Sequence, residues 1–345
     1  MFERERTEGP TGTDTLRRTS NGRRNGNGKR RRTEITLGEF FTTCFLPKHL
    51  AAEDAAPGTI EDYRLAVAQW KQYTRDPPLW SIDQDICLRF QERLKTREYR
   101  GRTIKAITVN NRCARIAKLL RLAGPTNGHG AGYGLIAHVP QFARVRQDHD
   151  PPRPALSIEA IESWWDAVAD ARTPLIPGVE PADWWRALVL WGHNTGFRIK
   201  ATLLAEWDMI DGHWLTAPGR IMKRRRGGRF YVNSTAQAAL YRIRTSSPTI
   251  FSWPYTIGHI HTARRKVLDQ KHYPERSLWS SQALRRTLLT WLAERNPAVA
   301  QLQAGHRGTS VLMKHYVQPE IVEGLLEQVP QPRQAWAWLS GVSIT

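Results

Sequence analysis

Residues 125–155, PTNGHGAGYGLIAHVPQFARVRQDHDPPRPA, divide this chain in two. Glycine loosens the backbone and proline removes a hydrogen-bond donor, so neither a long helix nor a central strand runs through such a stretch. Apolar residues recur at helical spacing on both sides of it. The chain must therefore build two separate cores, and its 345 residues suffice for two. The alternating glycines from Gly128 to Gly134 resemble a phosphate cradle only superficially. No buried strand precedes them and no helix opens after them, so the segment is read as a linker.

Residues 34–124 have the pattern of a compact helical unit. Thr36 with Glu39 has the spacing of a capping box. Ile60, Tyr63, Val67, Trp70 and Tyr73 follow at helical intervals, with Thr59 as the expected N-cap. A third helix, capped by Ser81 or Asp83, aligns Ile86, Phe90 and Leu94, and a fourth ends at Gly124. Residues 1–33 contain glycine, asparagine, arginine and threonine with almost no apolar content. They cannot bury enough surface to offset the entropy of ordering, and are expected to form a disordered basic arm.

Charge restricts the partner. The chain carries 51 Lys and Arg against 32 Asp and Glu, a net charge of +19. The arm accounts for +6 of this, so the folded body is itself strongly basic. A single-signed surface of this kind suits a polyanion, with nucleic acid as the first expectation. No apolar run is long enough to span a bilayer, and the N-terminus has no apolar signal region. The three cysteines, Cys44, Cys87 and Cys113, form no CxxC pair, which argues against a disulfide framework or a zinc site and for a reducing, cytoplasmic setting.

In residues 156–345, Ser157 begins a helix with Ile161, Trp164, Trp165 and Val168. A helix over roughly 182–193 precedes TGFRIKATLLAEWDMIDG, and HWLTAPGRIMKRRRGGRFYVN reads as short strands around turns. Arg198 follows the apolar helix, and Lys223 lies in or beside the turn. Arg285 borders the core stripe Leu284, Leu288, Trp291 and Leu292, while His306 and Tyr316 lie in QLQAGHRGTSVLMKHY. Each has an ordinary reading alone: a snorkelling arginine, a solvated turn, a helix cap or a packing tyrosine. His259 and His261 flank Ile260, and an HxH pair of this kind reads as part of a surface helix.

Together the set suits attack of a tyrosine on a DNA phosphodiester. Two guanidinium forks hold the non-bridging oxygens and stabilise the charge of a pentacoordinate phosphorus. A phenol with a pKa of about 10 needs a positive field or a nearby base to attack. A lysine or histidine protonates the departing 5′-oxygen. Neither metal nor ATP is called for, and GNGKRRRT in the arm lacks the P-loop spacing.

The three segments resemble the motifs of the tyrosine recombinase (phage integrase) family. TGFRIKATLLAEWDMID is similar to its first arginine box, ALRRTLLTWLAE to its second, and LQAGHRGTSVLMKHY to its closing Gly-His…Tyr box. The resemblance spans residues 36 to about 320. It implies a mainly α fold with a small β-sheet in the catalytic domain, and a helical core-binding domain that clamps double-stranded DNA with it. It also implies strand exchange through a 3′-phosphotyrosine, by a homotetramer in the synaptic complex. Carried over by position, Arg198 and Arg285 hold the phosphate, Lys223 is the general acid, His306 is a phosphate ligand and Tyr316 the nucleophile.

Two positions depart from the family pattern. Gln282 stands where the family has a histidine, and Ala201 where it tends to have an acid, which leaves Glu206 as a candidate partner for Arg198. These departures keep a DNA-binding protein without catalysis as an alternative, and a type IB topoisomerase-like enzyme is another. After Tyr316, Ile321, Leu325, Leu326, Trp336 and Trp338 either dock on a neighbouring protomer, as the family implies, or pack on their own domain.

Overall fold

The structure is a computed structural model that describes residues 34–99, 101–126, 132–147, 153–222, 225, 227–269, 279–305 and 318–340. The arm 1–33 lies outside them. The chain forms two compact units that meet in sequence between Asp150 and Pro151. Both are mainly helical, and the second carries the small sheet.

The first unit opens with α1 (Leu37–Phe40), where the capping box is present: Glu39 N donates to Thr36 Oγ1 at 3.1 Å and Thr36 N to Glu39 Oε2 at 2.9 Å. The helix continues in wider π-type turns over Phe41–Ala51, a segment containing Pro47, which cannot join an ordinary helical ladder. Helix α2 (Pro57–Thr74) begins earlier than expected. Ala56 is the N-cap in place of Thr59, because Pro57 brings a φ already suited to the first turn. Asp83, not Ser81, caps α3 (Gln84–Lys95). A ribbon of β1 (Glu98–Tyr99) and β2 (Arg102–Thr103), not foreseen, precedes α4 (Ala106–Ala123). Tyr63, Val67, Trp70, Phe90, Leu94 and Leu119 are buried in the shared core, as the periodicity required.

Residues 132–147, read above as linker, are packed along α3 and α4. Three side-chain amides hold this extended chain at alternate residues. Gln84 Nε2 donates to Gln141 O at 2.7 Å, and Gln141 N donates back to Gln84 Oε1 at 3.0 Å. Gln91 Nε2 donates to Ala143 O at 2.5 Å. Asn110 Nδ2 donates to Val145 O at 2.8 Å, and Val145 N returns a bond to Asn110 Oδ1 at 2.9 Å. Between these positions Phe142 turns inward, edge-on to Phe90 at 6.1 Å.

The second unit is built around α6 (Pro181–Thr195). Nearly every side chain from Trp184 to Thr195 is buried, so this helix is enclosed on all sides. Trp184, Trp185 and Trp191 fill the space around it, and Trp164 of α5 (Ile158–Ala167) stacks on Trp279 at 6.0 Å. After α7 (Ile199–Leu203), the antiparallel strands β3 (Ile210–Asp211), β4 (Trp214–Ala217) and β5 (Gly228–Tyr231) form a sheet in sequence order, with Leu215 opposite Phe230. Helices α8 (Ser234–Arg242), α9 (His259–Asp269), α10 (Ser281–Arg295) and α11 (Pro297–Ala304) follow, with α8 and α10 packed on α6. His259 and His261 do lie on a helix, and His261 is exposed.

Residues 318–340 pack on their own unit. Leu326 of α12 (Pro319–Glu327) is fully buried, and Glu327 Oε1 accepts from Tyr231 Oη at 2.9 Å. Trp338 of α13 (Arg333–Leu339) donates Nε1 to Asp183 Oδ1 at 2.7 Å and lies beneath the Arg242 guanidinium. Trp336 projects outward, 62% exposed. No helix among the described residues is long and apolar enough to cross a membrane.

The amide ladder makes a prediction. With each net hydrogen bond worth about 1 kcal/mol, replacing Gln84, Gln91 and Asn110 together by alanine should release the segment well over tenfold more often. Trypsin should then cut at the exposed Arg144 and Arg146 correspondingly faster. An unchanged cleavage rate would mean that Phe142 and Val145 hold the segment by packing alone.

Candidate active site

The site is set by the C-terminal turn of α6. There Gly196 adopts φ 65°, a left-handed conformation that closes the helix and sends the chain toward Arg198. A Cβ at this position would stand 3.2 Å from Leu288 Cδ2 and 3.5 Å from Arg285 Cγ. Gly192, one turn earlier, admits Leu284 of α10, whose Cδ1 would lie 2.9 Å from an added Cβ. Glycine at both positions brings α6 and α10 into close contact, and so brings Arg285 to the turn that carries Arg198.

Polar groups lock that turn from beneath. Asn194 and Thr195 are wholly buried. Asn194 Oδ1 accepts from Asn233 Nδ2 at 2.7 Å and from Gln331 Nε2 at 2.6 Å, while its own Nδ2 donates to Gln331 Oε1 at 3.0 Å. Asn233 also caps α8 through Ala236 N and donates to Leu326 O. Gln303 Nε2 of α11 donates to Thr195 O at 2.9 Å. His193 Nε2 donates to Pro330 O at 2.7 Å, and because a carbonyl can only accept, this nitrogen carries the ring proton. The other ring nitrogen is buried without a described partner, and burial pushes the imidazole pKa below its ordinary value.

Arg285 completes the arrangement. Its guanidinium is buried and donates to Gly196 O at 2.7 Å and to Ala304 O at 2.6 Å. It thus joins the Arg198 turn to the last turn of α11, which Gly305 closes at φ 60° immediately before His306. No carboxylate among the described residues pairs with it. Burial, with the nearby charge of Arg198 second, lowers its pKa to about 10, so it remains a cation at neutral pH. A buried cation balanced only by carbonyl dipoles projects positive potential into the open groove beside it. Arg198, Gln282, Arg285 and Arg286 line that groove. Gln282, Arg285 and Arg286 come from one face of α10, at the helical spacing i, i+3, i+4.

Of the residues expected to act together, the structure therefore unites Arg198, Gln282 and Arg285. Lys223, in the β4–β5 connection, and His306 and Tyr316, after α11, lie outside the described residues. One expectation is corrected: Glu206 does not serve Arg198. Its Oε2 accepts from Arg220 Nη2 at 3.2 Å, since the chain turns after α7 and carries Glu206 toward the start of that connection. Ala201 is buried in the core on α7, where its methyl packs among apolar neighbours. Asn194, Asn233, Gln303 and Gln331 belong to the site's support without standing out in the sequence. The available signal was the polar run His193-Asn194-Thr195 ending an otherwise apolar helix.

No protein-family model matches the chain, and no curated protein does. Solved structures match in fold. A lambda integrase dimer bound to a COC′ core site aligns with TM-score 0.56 at 16% identity, covering 84% of this chain and 79% of that one. A lambda integrase tetramer bound to a Holliday junction gives 0.59 at 15%, covering 82% and 77%. The Tn1549 transposon integrase in complex with circular intermediate DNA gives 0.56 at 14%, covering 82% and 96%. The chain has the fold of the tyrosine recombinases.

Two outcomes follow from the turn. Gly196→Ala should destabilise the protein by about 1–2 kcal/mol from backbone strain alone, and further where Leu288 and Arg285 must shift, readable as a lower denaturation midpoint. His193 has a folded pKa below its unfolded value of about 6.5, so its contribution is present above that pH and lost as pH falls. The melting temperature should drop between about pH 7.5 and about pH 5, and His193→Gln should flatten that drop.

Proposed function

We propose that the chain is a site-specific DNA recombinase that cuts and rejoins duplex DNA through a 3′-phosphotyrosine on Tyr316. The observation that carries this reading is the buried Arg285, without a carboxylate partner among the described residues, beside Arg198 in an open groove, in a fold shared with DNA-bound integrases. A phosphodiester is the group such a pair of forks lacks.

In the proposed step, Arg198 and Arg285 hold the non-bridging oxygens. Tyr316 gives its phenolic proton to solvent and its Oη attacks phosphorus as the bond to the 5′-oxygen breaks, while Lys223 gives that oxygen its proton. His306 hydrogen-bonds the phosphoryl group, and Gln282 positions it, since an amide neither gains nor loses a proton near neutral pH. One phosphodiester bond replaces another, so reversal by a 5′-hydroxyl reseals the strand without ATP. The helical unit 34–124 grips the duplex together with unit 156–345, the basic arm 1–33 adds phosphate contacts, and the protein acts at the nucleoid. The junction-bound tetramer among the similar structures supports four protomers acting on two duplexes.

A second reading, a DNA-binding protein without cleavage, is favoured by Gln282 and Ala201. Selection from a random duplex pool supplies a bound site, and a nicked duplex carrying it traps the cleaved complex. The proposal expects an SDS-resistant adduct that is lost in Tyr316→Phe and slowed about 10²–10³-fold in Arg285→Lys. Lys223→Ala should abolish cleavage of the ordinary substrate but cut one whose 5′-bridging oxygen is sulfur, because a thiolate leaves without a proton. Gln282→His should leave the rate unchanged. No adduct at all supports the binding-only reading, and an adduct with relaxation but no strand exchange supports a topoisomerase.

A further inference from the structure

Arg286 follows Arg285 in α10 and lines the same groove as Arg198. It is half-buried, and its Nε donates to Pro154 O at 2.8 Å. Pro154 lies at the start of the second unit, just past the division at Asp150–Pro151. The next residue of α10 repeats the attachment: Leu156 N donates to Thr287 Oγ1 at 2.8 Å, and Thr287 Oγ1 donates to Ala283 O at 3.0 Å. The main chain entering this unit is therefore fixed to the helix that carries Arg285, at the two residues directly after it.

A guanidinium is a rigid fork, and fixing its Nε–H fixes the direction of its two terminal nitrogens. Among the described residues no carboxylate pairs with Arg286. Glu294, the one acid among the described residues lining the groove, lies 3.7 Å from Arg295 and is exposed. Among the described residues the groove thus presents Arg198, Arg285 and Arg286 with little to neutralise them, more cationic forks than the single charge of one phosphodiester balances.

We propose that Arg286 is a third phosphate-contacting residue of the groove, holding a backbone phosphate next to the one that reacts, and that the Pro154 carbonyl aims it. The proposal rests on the recombinase reading for the identity of the reacting phosphate. It assigns to the entering chain a positioning role in the site: a shift of residues 153–156 turns the Arg286 fork without moving Arg285, whose partners are Gly196 O and Ala304 O.

The test measures binding and cleavage separately. Binding uses a fluorescein-labelled duplex of random sequence, titrated at several salt concentrations. Losing one phosphate contact lowers the slope of log Kobs against log salt by about 0.9. Arg286→Ala should show this change, with an equal proportional loss on random and selected duplexes. Arg286→Gln, which retains a donor for Pro154 O, should show the same loss of slope. If both variants keep the wild-type slope, Arg286 is a strut for the entering chain and the proposal is overturned. Cleavage uses Arg286→Lys, whose single ammonium has no fork for a carbonyl and a phosphate at once. It should keep the slope yet form the covalent adduct several-fold more slowly, and an unchanged rate would overturn the aiming by Pro154. A wild-type protein that forms no adduct refutes the recombinase reading instead, and the salt slopes still decide whether Arg286 meets a phosphate.

Discussion

The second unit depends on one guanidinium. Arg285 reaches from α10 to the carbonyls of Gly196 and Ala304, tying together the turn that carries Arg198 and the helix end that leads to His306. Burying a cation is costly unless something answers its charge. Here the answer within the described residues is two carbonyl dipoles, which take one donor from each terminal nitrogen and leave the other donors and the charge unanswered. The result is a site organised before its ligand arrives, with positive potential where a phosphate would sit.

That preorganisation extends below the surface. The Arg198 turn rests on Asn194, which exchanges hydrogen bonds with Asn233 and Gln331, and Thr195 O is taken by Gln303. Removing any member leaves a buried amide or carbonyl unpaired, at about 1–3 kcal/mol each. Segments distant in the chain thus converge on one turn: the start of α8, the end of α11 and the stretch between α12 and α13. The packing of α12 and α13 on their own unit follows from the same network, since Pro330 O, Gln331 and Leu326 O all take part in it.

The parts of this that local pattern encodes were legible in the sequence. Trp70, Phe90 and Leu94 repeat at helical spacing and are buried, and Thr36 with Glu39 forms the box their spacing required. The two arginines that meet in the groove stood out because each borders an apolar helix. Pairings between residues far apart in the chain were not legible. Asn194 meets Gln331 across 137 positions, and the Gln84, Gln91 and Asn110 amides read a main chain whose side chains give no hint of it. Glu206 failed as a partner for Arg198 for the same reason: its direction depends on the turn after α7, and there Arg220 is nearer. Thr59 failed as a cap because Pro57 had already begun the helix.

The proposed reaction turns on a bond between one phenolic oxygen and one phosphorus. Mass spectrometry of the nuclease-trimmed, trypsin-digested trapped complex locates it directly. The expected product is a residual nucleotide joined through its 3′-phosphate to the peptide containing Tyr316, and to no other peptide. An unmodified Tyr316 peptide in a sample that has cleaved its DNA, or a nucleotide on a different residue, would contradict it.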